Sequence, residues 1–144
     1  MTLTLFMMAA LLFIAPDAIL AQRPMDHVVN VTTLKSKWPE KGTLSERDSL
    51  VGIYNALVIN KNEFILSHRE YRHYYTSRSS DYMIVEEYAD LAAMEKAGAR
   101  IGELEKLAWP DEAQRTAFMD KMNSYFENWH GDAIYSLNPK LSKN

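Results

Sequence analysis

The stretch from Phe64 to Tyr88, FILSHREYRHYYTSRSSDYMIVEEY, constrains the fold more than any other. It reads as two β-strands joined by a polar turn, because aromatic and β-branched residues suit a pleated, half-buried surface. Thr76 to Asp81 is a run of small polar residues, which marks the turn. Six turn residues fix the register only weakly. Pairing Tyr75 with Tyr82 sets His73 opposite Ile84, Tyr71 opposite Glu86 and Arg69 opposite Tyr88. Side chains alternate along a strand, so these eight residues are expected on one aromatic and polar face. Met83 and Val85 are then expected on the other face, under helices.

The chain has 144 residues, the length of one domain. Its first fourteen residues are uncharged and almost wholly apolar, and a short apolar run ends at Ala21. The segment is short for a bilayer span and reads as a signal peptide over residues 1–21, leaving one domain over 22–144. The expected location is therefore exported, periplasmic or extracellular. With no cysteine there are no disulfides, no thiolate chemistry and no lipid-anchored cysteine. Without residues 1–21, which carry only Asp17, the net charge is −2. Nucleic acid meets no basic field here, and no second apolar segment is long enough to span a membrane.

Residues 27–34, HVVNVTTL, form the expected first strand, rich in β-branched side chains. Ser45 is expected to cap a helix whose stripe is Leu50, Ile53, Tyr54, Leu57 and Val58, running to about Asn60. After the hairpin, Asp90 caps a second helix with Leu91, Met94, Gly98, Ile101, Leu104 and Ala108 on one stripe. Gly98 and Gly102 are weak helix positions that would permit a close approach to a neighbouring element. Pro110 opens a third helix, with Phe118, Met122, Tyr125, Phe126 and Trp129 as its stripe and Gly131 as its stop. Ala133 to Leu137 is the expected last strand.

The resulting order, strand, helix, strand, strand, helix, extra helix, strand, gives the fold class. It is α+β: a ferredoxin-like βαββαβ arrangement with an extra helix before the last strand and one antiparallel sheet. The order, with HREYRHYY, DYMIVEEYADLAAMEKA and HGDAIYSL, resembles the dimeric α/β-barrel superfamily, in particular antibiotic-biosynthesis-monooxygenase-like domains and secreted bacterial relatives. The resemblance implies a homodimer closed through the uncovered sheet face. It implies oxygenase chemistry only by analogy of fold.

The residues match no catalytic signature, and whether the chain is an enzyme stays open at this level. His73 and Glu86 are the candidate acid–base pair, a carboxylate beside an imidazole. The candidate ligand-binding set is Arg69, Tyr71, His73, Tyr75, Tyr82, Glu86 and Tyr88. Its tyrosines would stack a flat aromatic ligand while Arg69 holds an acidic group. His68 and His73 point to opposite faces of a regular strand, so no metal site is expected, and no cofactor is named. The expected partners are a second copy of the chain and a small-molecule ligand. The alternatives are a monooxygenase-like enzyme acting on a small aromatic or haem-like substrate, and a structural or protein-interaction module.

Overall fold

The computed structural model describes residues 27–75 and 80–141. The expected signal peptide and the centre of the expected polar turn, residues 76–79, lie outside the described residues. Strand β1 (Val28–Ser36) leads to helix α1 (Leu44–Leu57) and a 3-10 turn (Ile59–Lys61). Strands β2 (Ser67–Arg72) and β3 (Asp81–Tyr88) form the hairpin. Helices α2 (Leu91–Ala108) and α3 (Glu112–Asn123) follow, then strand β4 (Phe126–Ser136) and a last 3-10 turn (Pro139–Leu141). The strands form one antiparallel sheet in the order β2-β3-β1-β4. This is the expected ferredoxin-like βαββαβ fold with an extra helix, α3, before the last strand.

The helix ends follow local chemistry. The Thr43 hydroxyl accepts from the Glu46 amide at 3.1 Å, so Thr43 caps α1 rather than Ser45. Asp90 caps α2, accepting from the Ala93 amide at 2.7 Å, as read from the sequence. Asp111 caps α3 by accepting from Gln114 at 2.8 Å, which puts Pro110 before the cap instead of inside the first turn. A Cβ added at Gly98 or Gly102 meets nothing within 4 Å, so close approach does not explain these glycines. Gly42 is different. A Cβ there would fall 2.4 Å from Pro39 Cγ and 2.6 Å from the Tyr125 hydroxyl, because Tyr125 passes directly over this backbone.

Strand β4 begins at Phe126, well before the expected Ala133. Tyr125, Phe126 and Trp129 therefore leave the helical stripe, and Gly131 sits inside the strand rather than stopping a helix. The nine-residue β1 supplies the reason. Val28 to Leu34 hydrogen-bond along Ser136 to His130, and a full ladder outweighs a local apolar period that any aromatic-rich strand also satisfies.

The hairpin register differs from expectation by three residues: Arg72, not Tyr75, lies opposite Tyr82, and His68 lies opposite Glu86. An odd shift exchanges the faces of one strand relative to the other. His68, Glu70 and Arg72 now share a face with Tyr82, Ile84, Glu86 and Tyr88, while Arg69 and Tyr71 lie with Met83 and Val85. Helix α1 touches the first of these faces, where Asn55 reaches Glu70, Asp48 reaches Arg72 and Arg47 lies over Tyr82. The helices thus cover Tyr82, Ile84, Glu86 and Tyr88, and Met83 and Val85 sit on the open side, the reverse of expectation. This register sets Glu86 opposite His68, so that the ring, already beside Glu70 on its own strand, meets a second carboxylate.

Tyr82 and Tyr88 are buried with Val58, Ile59, Ala97, Leu104 and Tyr125. Tyr125 donates to the Glu46 carboxylate, and Lys121 binds that carboxylate at 3.0 Å, fixing the end of α3 to the start of α1. The buried Asn62 side chain donates to Ala97 O at 2.9 Å, joining the 3-10 turn to α2.

Candidate functional site

A cavity of about 480 Å³ lies between the helices and the sheet. Its floor is His68 and Glu70 from β2 with Tyr82, Ile84 and Glu86 from β3. Its walls are Val51, Tyr54 and Asn55 from α1, Met122 and Asn123 at the end of α3, and Phe126 and Glu127 at the start of β4. Strand pairing holds the floor, and the helical spacing of Val51, Tyr54 and Asn55 turns all three toward it.

His68 is central. Its Nδ1 lies 3.0 Å from Glu86 Oε1 and its Nε2 3.0 Å from Glu70 Oε1. Carboxylate oxygens only accept, so both ring nitrogens donate and the ring is an imidazolium. The three side chains are only 13 to 19% exposed. Burial by itself lowers the pKa of His68, but the hydrogen bonds to Glu70 and Glu86 outweigh it and raise the pKa to about 9. Burial likewise pushes Glu70 up, but donors from His68, Asn55 and Tyr82 bring it down to about 2. Glu86 is lowered in the same way: burial opposes the shift, while His68 and Tyr88 drive it.

Further hydrogen bonds complete the network. Asn55 Nδ2 donates to Glu70 Oε1 at 2.6 Å, Tyr82 donates to Glu70 Oε2, and Tyr88 donates to Glu86 Oε2 at 2.7 Å. Tyr54 donates to Glu105 at 2.8 Å and stacks on Trp109, which stacks in turn on Phe118. Tyr54, Tyr82 and Tyr88 all titrate above the ordinary phenol, through burial first and a neighbouring carboxylate second. No buried side-chain nitrogen or oxygen among the described residues lacks a partner.

The register divides the expected ligand-binding set. Tyr82, Glu86 and Tyr88 lie on the helix-covered face. Arg69 and Tyr71 lie on the open face, so Arg69 and Glu86 do not converge. Tyr75 is 92% exposed. His73 follows the end of β2 and lines a second cleft, of about 610 Å³, with Trp38, Arg47 and Arg72. His73 and Glu86 are therefore not a pair; the imidazole beside Glu86 belongs to His68. From the sequence, His68 is weighed only as a metal ligand and Tyr54 only as part of the α1 stripe, and neither they nor Glu70 and Asn55 belong to the expected site. One signal was present: His68 and Glu70 are two apart in a strand and share a face in any register.

Among the described residues, no group of three or more His, Asp or Glu side chains is arranged to hold a metal ion. The imidazole of His68 is committed to carboxylates on both sides.

No known family description and no curated protein matches the sequence. Solved structures do match. SnoaB, a cofactor-independent oxygenase from Streptomyces nogalater, is similar over 82% of this chain and 99% of its own, with 14% identity and a TM-score of 0.51. A candidate antibiotic biosynthesis monooxygenase from Caulobacter crescentus covers 80% of this chain and 92% of its own, at 16% identity and a TM-score of 0.53. A conserved protein from Methanosarcina mazei covers 80% and 96%, at 14% identity and a TM-score of 0.51. The fold is shared with these solved structures. Identities this low carry the architecture and leave the chemistry to the residues of this chain.

Proposed function

We propose that this chain is an exported, homodimeric small-molecule-binding domain whose ligand sits above His68, in the cavity between the helices and the sheet. The observation that carries the reading is that cavity itself. It is large enough for a small organic ligand, it is walled by Tyr54, Phe126 and Met122, and its polar groups are already held in place. A flat aromatic ligand suits such walls.

The pKa pattern favours binding over proton-transfer catalysis. A general acid or base works best with a pKa near the operating pH. In this cavity every resolved shift moves away from neutrality: the carboxylates fall, the imidazole rises and the phenols rise. The oxygenase description of SnoaB supports a monooxygenase-like alternative only through the shared fold.

Dimerisation is supported by the open sheet face. Val29, Val31, Met83, Val85, Ala133 and Tyr135 share it, and none is buried within one chain. Two-fold pairing is the commonest way to cover such a surface. The uncharged run before Ala21 supports export.

Native mass spectrometry of protein purified from its own host tests all three parts. The expected result is a dimer of chains beginning near Gln22 that retains a small organic adduct. Val51→Trp, which fills the cavity, is expected to remove the adduct while the dimer persists. A monomer at micromolar concentration overturns the dimer, and an adduct that survives Val51→Trp overturns the cavity assignment.

A further inference from the structure

The cavity has a marked charge imbalance. Three carboxylates line it, Glu70, Glu86 and Glu127, and among the described residues neither lysine nor arginine does. The imidazolium of His68 is shared between Glu70 and Glu86, two carboxylates against one cation, so the cluster carries a net charge of −1. His130, at the rim, lies 3.2 Å from Asp132. Outside the lining, Arg47, 5.2 Å over the Tyr82 ring, and Arg72 share the single carboxylate of Asp48 at 2.8 to 3.1 Å, which leaves one positive charge there against the three carboxylates and one imidazolium of the cavity.

From this we infer that the cavity takes cationic ligands and rejects anionic ones, its natural occupant being a flat aromatic or heteroaromatic ring bearing an ammonium or amidinium group. This rests on the cavity being the ligand site. Glu86 is the counter-ion. A carboxylate offers about four acceptor positions. Glu70 already receives three donors, from His68, Asn55 and Tyr82. Glu86 receives two, from His68 and Tyr88, and keeps room for a third. Tyr54 and Phe126 line the same cavity, and aromatic rings attract cations. Partial burial keeps these terms from being screened as they are at an open surface. The acidic ligand expected from Arg69 is the opposite of what this lining accepts, and Arg69 lies across the sheet from it.

Three probes of one shape test the inference on the full chain: 2-(aminomethyl)naphthalene, 2-naphthalenemethanol and 2-naphthoate, titrated by calorimetry at neutral pH. The amine is expected to bind roughly tenfold or more tightly than the alcohol, and the carboxylate more weakly than either. Glu86→Gln is expected to shrink the amine-to-alcohol ratio severalfold. If Glu86→Gln does not fold, the ratio is read in Glu127→Gln and in wild type at rising ionic strength, where it is expected to fall. Equal affinity for all three probes, or preference for the carboxylate, overturns the charge selection and leaves the cavity assignment standing. Failure of all three probes to bind overturns the cavity assignment as well.

Discussion

The two faces of this sheet are built on opposite principles. The face under the helices, where apolar packing is the usual filler, holds an imidazolium between two carboxylates, with Tyr82 and Tyr88 donating to them. The face without helices carries Val29, Val31, Met83 and Val85. A polar group under a helix layer costs free energy unless it is hydrogen-bonded, and among the described residues no buried side-chain nitrogen or oxygen lacks a partner. The open face pairs its own charges, His27 with Glu87 and Lys35 with Asp81, but leaves apolar area in water, which a second copy would remove. This contrast suits the proposed reading, in which the covered side takes a small ligand and the open side a second copy of the chain.

The contrast is sharpest if one charge on the open face undoes the assembly. Val31→Asp is expected to convert the dimer to monomer, weakening association by two orders of magnitude or more, roughly 3 kcal/mol. Light scattering reads this directly, with unchanged circular dichroism as the control, and a dimer that tolerates the aspartate breaks the comparison on that side.

Glu86→Ala probes the covered face. It leaves His68 with one carboxylate and Tyr88 without its acceptor, and is expected to cost about 3 kcal/mol of folding stability. Urea denaturation measures this. A loss below about 1 kcal/mol, the usual value of a surface pair, would mean that the covered network is no more than surface chemistry placed indoors.

The pH profile refines the same point. The pKa of His68 rises on folding from 6.5 to about 9, so its contribution is whole below pH 6.5, declines as pH rises, and is gone above about 9. Glu70 falls from 4.5 to about 2, so its contribution is whole above pH 4.5 and is lost as pH drops toward 2. Stability is expected to be greatest between about pH 4.5 and 6.5 and to decline on the alkaline side by up to roughly 3 kcal/mol. Thermal melts of wild type and His68→Gln compare the limbs; the variant is expected to lose the alkaline decline.

The smallest effect is expected in the helix layer. Gly98→Ala adds a methyl group to open space in α2 and is expected to raise stability by up to about 1 kcal/mol. A loss of stability instead would mean that α2 needs its glycine for a contact absent from the single chain.

The element order was legible in the sequence because it rests on periodicity, and periodicity is local. Asp90 as a cap and the break at Trp109-Pro110 were legible for the same reason. The candidate site was only partly legible. Tyr82, Glu86 and Tyr88 are legible as neighbours on one face of one strand, since alternation needs no partner. Arg69, Tyr71 and His73 were joined to them through a register that no turn residue specifies. The register that forms is fixed by what His68 meets across the sheet, a non-local matter. The start of β4 escaped notice for a similar reason: the length of β1 decides it, and β1 lies nearly a hundred residues earlier.

Helix α3 has a consequence for diversification. It stands between α2 and β4 as an addition to the βαββαβ frame, anchored at its end where Tyr125 and Lys121 meet Glu46. Met122 and Asn123, at that end, shape one wall of the cavity, while the charged floor belongs to the strands. Size and charge are thus governed by separate pieces of chain. If the cavity is the ligand site proposed above, substitutions at Met122 or Asn123 are expected to change which molecular outlines are admitted without disturbing His68, Glu70 or Glu86. A lineage of such proteins is free to explore new ligand shapes cheaply while its electrostatic preference stays inherited.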